Sequence, residues 1–396
     1  MKGFGDLYKS EKKNNKKNKF SDEQIIDQAI ELHLKGNISE AAKYYQKLIS
    51  QGCNDHRVFS NYGAILQGQG KLKDAELSYR KAITLNPDYA IAHSNLGNIL
   101  RDLGKLQDAE ISYRKAIQIN PNFANAYCNL GNVLRDLGKL QDAEICTRKA
   151  ITLNPDYVIA HSNLGNIFRD LGKLKEAEIS TRKAIQLNPD FANAHFNLGS
   201  ILKDLGKFQD AEISLRKAIA INPDFSDAHF NLGNIFRNLG KFQDAEISYR
   251  KAIQINPDFS DAHFNLGNIL RDLGKLQNAE ISYRKAIQIN PDFADAYCNL
   301  GIILRDLGKL QDAEILYRKA IQINPDFADA YCNLGNVLRD LGKSQDAEIS
   351  YRKAIQINPD FADAYCNLGI ILRDLGKLQD ARICSKKIMS LRSWSI

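Results

Sequence analysis

The chain repeats itself every 34 residues, and that period constrains what it can fold into. The segment Ala90 to Phe123, AIAHSNLGNILRDLGKLQDAEISYRKAIQINPNF, recurs almost verbatim. Its blocks begin at His56, Ala90, Ala124, Val158, Ala192, Ser226, Ser260, Ala294, Ala328 and Ala362, so ten contiguous copies span 56–395. A fixed period of this size means stacked supersecondary units, each touching mainly its neighbours, and not one closed core. Positions are counted 1 to 34 from the first residue of each block.

Each unit reads as two helices. The first runs from Ala90 to Leu103 and stops at Gly104, a residue able to take the left-handed cap conformation. The second runs from Leu106 to Ile119 and stops before Asn120-Pro121, since proline cannot continue a helix. Short loops make the two antiparallel. In the second helix Ala109, Tyr113, Ala116 and Ile117 share one apolar face. Glu110 and Arg114 are spaced i, i+4 with the acid first, a pair that recurs from Glu76/Arg80 to Glu348/Arg352 and reads as a solvated, stabilising face.

On these residues the unit resembles the tetratricopeptide repeat (TPR). Leu96-Gly97 matches its Leu-Gly pair, and Ala109, Tyr113, Ala116 and Pro121 match its small residue, aromatic, second small residue and proline. His93 or Tyr127 stands where the family often has tryptophan, and Leu100 where it often has tyrosine. The resemblance implies an all-α fold: an α-solenoid, a right-handed superhelix of antiparallel helix pairs in 34-residue repeats. Residues 22–55 read as a degenerate N-terminal repeat, with Ala29, Leu32, Gly36, Ala41, Tyr45 and Leu48 on the template and Gly52-Cys53-Asn54-Asp55 as its turn. The tenth unit is atypical: Arg382, Ser385 and Ile388 replace the usual Glu, aromatic and Ala.

Charge is unevenly placed. The net charge is +7, but residues 1–20 carry +5 and residues 382–396 carry +4, leaving −2 for 21–381. Residues 1–21 read as a basic, disordered tail. A near-neutral array argues against a nucleic-acid groove along its length. No apolar run approaches a membrane span, and the N-terminus lacks the apolar core of a secretory signal.

Function is sought on the first helix. On a helical wheel, positions 3, 7, 10, 11 and 14 (Ala92, Leu96, Ile99, Leu100, Leu103) form the core arc. Positions 2, 5, 6, 9, 12 and 13 fall opposite, on the arc that lines the concave groove in the family. Position 6 is always asparagine, including Asn95, Asn129, Asn163, Asn197, Asn231, Asn265, Asn299 and Asn333. Position 9 adds Asn98, Asn132, Asn166, Asn234 and Asn268. Position 12 supplies Arg101, Arg135, Arg169, Arg237, Arg271, Arg305 and Arg339, mostly followed by aspartate.

An asparagine side chain offers an acceptor and two donors, which suits it to a peptide backbone. The repeat region of O-linked N-acetylglucosamine transferases carries such a ladder, and this array looks similar. Other family members clamp a C-terminal carboxylate with groove Lys, Arg and Asn. Two readings stand side by side: the asparagines contact ligand, or they bond the backbone of the adjacent repeat. Likewise Arg and Asp at positions 12 and 13 either meet an acidic partner or neutralise one another across units.

Cys128, Cys298, Cys332 and Cys366 fall at position 5, on the groove's edge in this reading. Helix spacing is too wide for disulfides between them, so the thiols are expected free, in keeping with a reducing cytoplasm. His93, His161, His195, His229 and His263 at position 4 read as packing residues. Gly342-Lys343-Ser344 is not a phosphate-binding loop, because that loop needs glycine where Val337 stands. Catalytic motifs and cofactor signatures are absent.

The expectation is a non-catalytic scaffold that binds protein or peptide ligands, extended or with acidic C-termini, through the groove, with self-association open to the end repeats. The alternative is the substrate-presenting repeat portion of a glycosyltransferase-type system whose catalytic part lies elsewhere.

Overall fold

A computed structural model describes residues 22–392. The basic segment 1–21 and residues 393–396, the end of the tenth unit and the last residue, lie outside the described residues. The described chain divides into two compact units, one ending at Asp190 and one beginning at Phe191. Each is an all-α stack of helix pairs, here called A and B.

The unit at Ala90 shows why. Its A helix is Ala90–Asp102 and its B helix Leu106–Ile119. The A helix ends in a Schellman motif. Lys105 N donates to Leu100 O (2.8 Å) and Gly104 N to Arg101 O (2.9 Å). This needs a left-handed residue, and Gly104 has φ +75°. The B helix ends one residue before Asn120, whose Oδ1 accepts from Asn122 N (3.1 Å) to turn the chain.

Within a pair, close approach is set by position 8. A Cβ built on Gly97 would lie 2.7 Å from Cε1 of Tyr113, so only glycine lets the tyrosine ring lie across the A helix. Ala92, Ile99, Leu100, Ala109, Tyr113 and Ala116 are fully buried, in agreement with the two apolar faces read from the sequence. Burying a large apolar side chain contributes roughly 1.5–3 kcal/mol.

Residues 22–55 also fold as a helix pair, Asp22–Leu34 and Ile38–Ser50, with Ala29, Ala41, Tyr45 and Leu48 buried. Its exit uses Gly52 (φ +82°) and then Asp55, which caps the next helix by accepting from Arg57 N (2.8 Å). In the tenth unit the B helix runs Leu378–Arg392. With serine at position 24, a Cβ built on Gly369 would meet nothing nearer than Cβ of Cys384, at 3.5 Å.

The B helices are joined by ions as well as by packing. Glu110 takes both Arg114 of its own helix (2.9 Å) and Lys139 of the next unit (2.8 Å). The same two-sided pair recurs at Glu76, Glu144, Glu212, Glu246, Glu280, Glu314 and Glu348. These carboxylates are not on a solvated face: their side chains are only 10 to 18% exposed. The i, i+4 spacing revealed the arginine. The lysine at position 16 of the following unit was missed, because nothing local connects residues 29 apart.

Candidate functional site

The A-helix face opposite the core carries the predicted residues, and the structure gives each position its own surroundings. Asn95, Asn129, Asn163, Asn197, Asn231, Asn265, Asn299 and Asn333 are half-buried, as are Asn98, Asn132, Asn166, Asn234 and Asn268. Arg101, Arg135, Arg169, Arg271, Arg305 and Arg339 are half-buried too, whereas Arg237 is exposed. Position 5 leaves this face. Cys128, Cys298 and Cys332 are buried, and burial pushes the Cys298 thiol up to about 12 and that of Cys332 to about 11. Of the four position-5 cysteines only Cys366, in the tenth unit, is exposed. The expected groove edge at position 5 is thus corrected to a buried seam.

At several copies position 6 ties one unit to the one before it through side chains. Asn129 Nδ2 donates to Asn98 Oδ1 (3.0 Å), Asn265 to Asn234 (3.2 Å) and Asn299 to Asn268 (2.9 Å). Where position 9 is serine, Asn231 Nδ2 bonds Ser200 Oγ (3.2 Å). Asn163 instead reaches Cys128 Sγ (3.3 Å).

Position 9 has a second obligation that sequence reading missed. The tyrosine at position 24 passes beneath the A helix and donates its buried hydroxyl to the same oxygen. Tyr113 bonds Asn98 (2.6 Å), Tyr249 bonds Asn234 (2.8 Å), Tyr283 bonds Asn268 (2.8 Å) and Tyr351 bonds Asn336 (2.9 Å). Burial raises these phenols, that of Tyr351 to about 12, so they stay donors. The Tyr79 and Tyr317 hydroxyls are buried with no partner, because position 9 is Ala64 and Ile302 in their units. The signal was present as a pairing of residue types 15 apart, though not as a motif.

The arrangement fixes which way the amides point. In Asn98 and Asn234 both lone pairs of Oδ1 are taken, by a tyrosine and by the next asparagine. Their Nδ2 groups, each with two N–H donors, have no protein acceptor among the described residues, and both side chains are half-buried. This face is therefore rich in donors.

The basic row is largely neutralised, both across and within units. Arg135 pairs with Asp170 (2.7 Å) and Arg305 with Asp340 (3.0 Å) of the next unit. Arg101, Arg271 and Arg339 meet the aspartate beside them at 3.2, 3.2 and 3.5 Å. Arg237 differs. Asn238 replaces the aspartate at position 13, and Arg237 makes no ion pair among the described residues.

The position-4 histidines do more than pack. Nε2 of His93, His161, His229 and His263 lies 2.8 to 3.1 Å from the carbonyl of the proline six residues before, holding the turn between units. Burial lowers His229 and His263 below the usual histidine value, which favours the neutral ring.

Comparison with protein families agrees with the repeat. One TPR repeat model matches residues 63–100, 97–138, 165–206, 267–308 and 301–342. A second tetratricopeptide repeat model matches 124–157, 192–225, 226–259 and 328–361, and a third matches 248–281 and 350–383. The search of curated proteins found no match. Among solved structures the chain is similar to YrrB, described as a TPR protein with an unusual peptide-binding site. Identity is 25%, over 46% of this chain and 95% of that one, with a TM-score of 0.40. It is similar to MamA at 29% identity over 41% and 96%, TM-score 0.39. It is also similar to pilF of Pseudomonas aeruginosa at 20% identity over 52% and 94%, TM-score 0.49. At TM-scores this low the likenesses carry no functional weight. No helix among the described residues is long and apolar enough to cross a membrane.

Proposed function

The chain belongs to the tetratricopeptide repeat family, whose members act in general as protein-interaction scaffolds, and from that premise we propose that it is a non-catalytic scaffold binding extended peptide segments along the A-helix face. The observation that carries this reading is the position-9 amide, seen at Asn98 in one compact unit and at Asn234 in the other, whose oxygen is taken by a tyrosine and an asparagine and whose N–H groups have no protein acceptor among the described residues. Unpaired N–H donors suit the carbonyl oxygens of an extended chain, which presents one per residue. The unneutralised Arg237 beside them suits a carboxylate, from an acidic side chain or a free C-terminus. The position-6 asparagines contribute mainly by holding these amides in register.

The test separates ligand contact from internal support. Asn98→Asp and Asn234→Asp keep an acceptor for Tyr113, Tyr249 and the next asparagine, but turn the unpaired donors into a carboxylate. The probe is an array of synthetic peptides with acidic free C-termini, beside amidated neutral copies. The double variant, and separately Arg237→Ala, should lose binding to acidic-ended peptides by about tenfold or more, since hydrogen bonds to charged groups are worth about 1.5–3 kcal/mol. Melting temperature should stay near that of the parent. Unchanged affinity with unchanged stability would refute the site.

A further inference from the structure

The outer face of the B helices carries a feature that the proposed function does not use. In the compact unit that begins at Phe191, position 22 holds Ile213, Ile247, Ile281, Ile315, Ile349 and Ile383, and each is 64 to 67% exposed. Single exposed apolar residues are ordinary, but a column of them, one on each successive helix, is not. Helix propensity does not explain the choice, since β-branched isoleucine is a poorer exposed helix former than alanine, lysine or glutamate.

Between successive B helices the same face opens into clefts. One has a volume of 430 Å³, and Ile219, Leu232, Phe236, Ile247, Arg216 and Lys251 are among the residues that line it. Clefts of 440 and 320 Å³ recur beside Ile349 and Ile383. Ridge and cleft thus stand side by side at three of the five gaps between these B helices, in the register of the repeat.

Charge has the matching symmetry. In the Ala192 unit Asp210 stands three residues before Ile213, and Arg216 and Lys217 stand three and four after it. The pattern recurs as Asp244, Ile247, Arg250 and Lys251, and again around Ile315 and Ile349. Two such helices crossed antiparallel about the isoleucine place each aspartate opposite the other's basic pair. A parallel crossing would set like against like. A stable interface needs about 20–30 residues from each partner, which six B helices each presenting positions 18, 19, 22, 25, 26 and 29 can supply.

We propose that this outer face is a self-association surface. A second copy of the chain packs on it antiparallel, with the isoleucine ridges of each entering the clefts of the other. The contact is isologous, so it closes at two copies. It is distinct from association through the end repeats and leaves the A-helix face open.

The experiment is sedimentation velocity on the full chain over a low to high micromolar series. The expected result is a reversible monomer–dimer equilibrium. Ile247→Lys, Ile281→Lys and Ile315→Lys together should shift its midpoint upward by at least about tenfold, with helical circular dichroism unchanged. Should that variant lose helicity, a charge swap provides the readout. Asp244→Lys with Asp312→Lys and Asp346→Lys in one chain, and Lys251→Glu with Lys319→Glu and Lys353→Glu in another, should each weaken self-association. Mixing the two should restore dimers. A parent chain that stays monomeric, dimers indifferent to both sets, or a monomeric parent that binds anionic phospholipid vesicles through the isoleucines would each overturn the proposal.

Discussion

The hydroxyl of Tyr317 shows how fine the accounting is at single residues. Seven buried position-24 tyrosines fill equivalent places, from Tyr45 to Tyr351. Their hydroxyls meet different fates because position 9 varies. Tyr249 reaches Asn234 at 2.8 Å, whereas Tyr317, in a unit with Ile302 at position 9, has no partner. A buried hydroxyl without a hydrogen bond is a net cost, while one with a bond stabilises by about 0.5–1.5 kcal/mol. Tyr249→Phe should therefore lower unfolding stability by about that amount. Tyr317→Phe should leave it unchanged or raise it by up to about 1 kcal/mol. Chemical denaturation of the two variants in parallel checks the sign, and equal losses would refute the assignment. Thr147 and Thr181 pose the related case, short hydroxyls buried without partners in the tyrosine's place.

Among elements, the A helix gives up intrinsic stability so that the B helix can lie close. Glycine inside a helix is about 1 kcal/mol less favourable than alanine. At Gly335 that cost is forced, since a Cβ would lie 2.5 Å from Cε1 of Tyr351, whose ring is pinned by its bond to Asn336. At Gly369 the nearest atom is Cβ of Cys384, at an ordinary 3.5 Å. Gly335→Ala is expected to destabilise by about 1–3 kcal/mol through overpacking. Gly369→Ala is expected to stabilise by about 0.4–1 kcal/mol. Thermal melts of both variants distinguish this from a purely intrinsic helix effect, which would move the two in the same direction.

At the scale of the whole molecule, most junctions between successive repeats within each compact unit share one electrostatic device. Hydrogen bonds from Lys105, Lys139 and Lys343 foremost, and from the in-helix arginines, hold Glu76, Glu110 and Glu314 below their ordinary value of 4.5. At Glu246 and Glu280 burial pushes the other way, yet the two cations outweigh it and the carboxyl is again lowered. A carboxyl lowered in the folded state binds fewer protons there than in the unfolded chain, so stability is full above about 4.5 and is lost as pH falls through the folded value. Melting temperature should accordingly hold steady from neutral pH down to about 5 and drop below 4.5. A chain carrying Glu246→Gln and Glu280→Gln should start lower at neutral pH and fall less steeply. A parent melting temperature flat to pH 3 would refute the role of the ladder.

Much of this was legible without coordinates, because the information was local and repeated. Helix ends at Gly104 and Pro121, the apolar arcs, and the Glu110/Arg114 pair all rest on spacings within one helix or one turn. Repetition then multiplied each weak signal by ten. What needed tertiary structure lies between helices. The contact of Asn163 with Cys128, the reach of Lys139 to Glu110, and the convergence of Tyr249 and Asn265 on one oxygen of Asn234 join residues 15 to 35 positions apart. A helical wheel places a side chain on a face but cannot say what covers that face. Asparagine at position 6 thus read equally as a ligand donor or an internal tie. Only the packing of one pair on the next decided where its amide goes, since an amide has four hydrogen-bonding sites and the nearest neighbours claim them first.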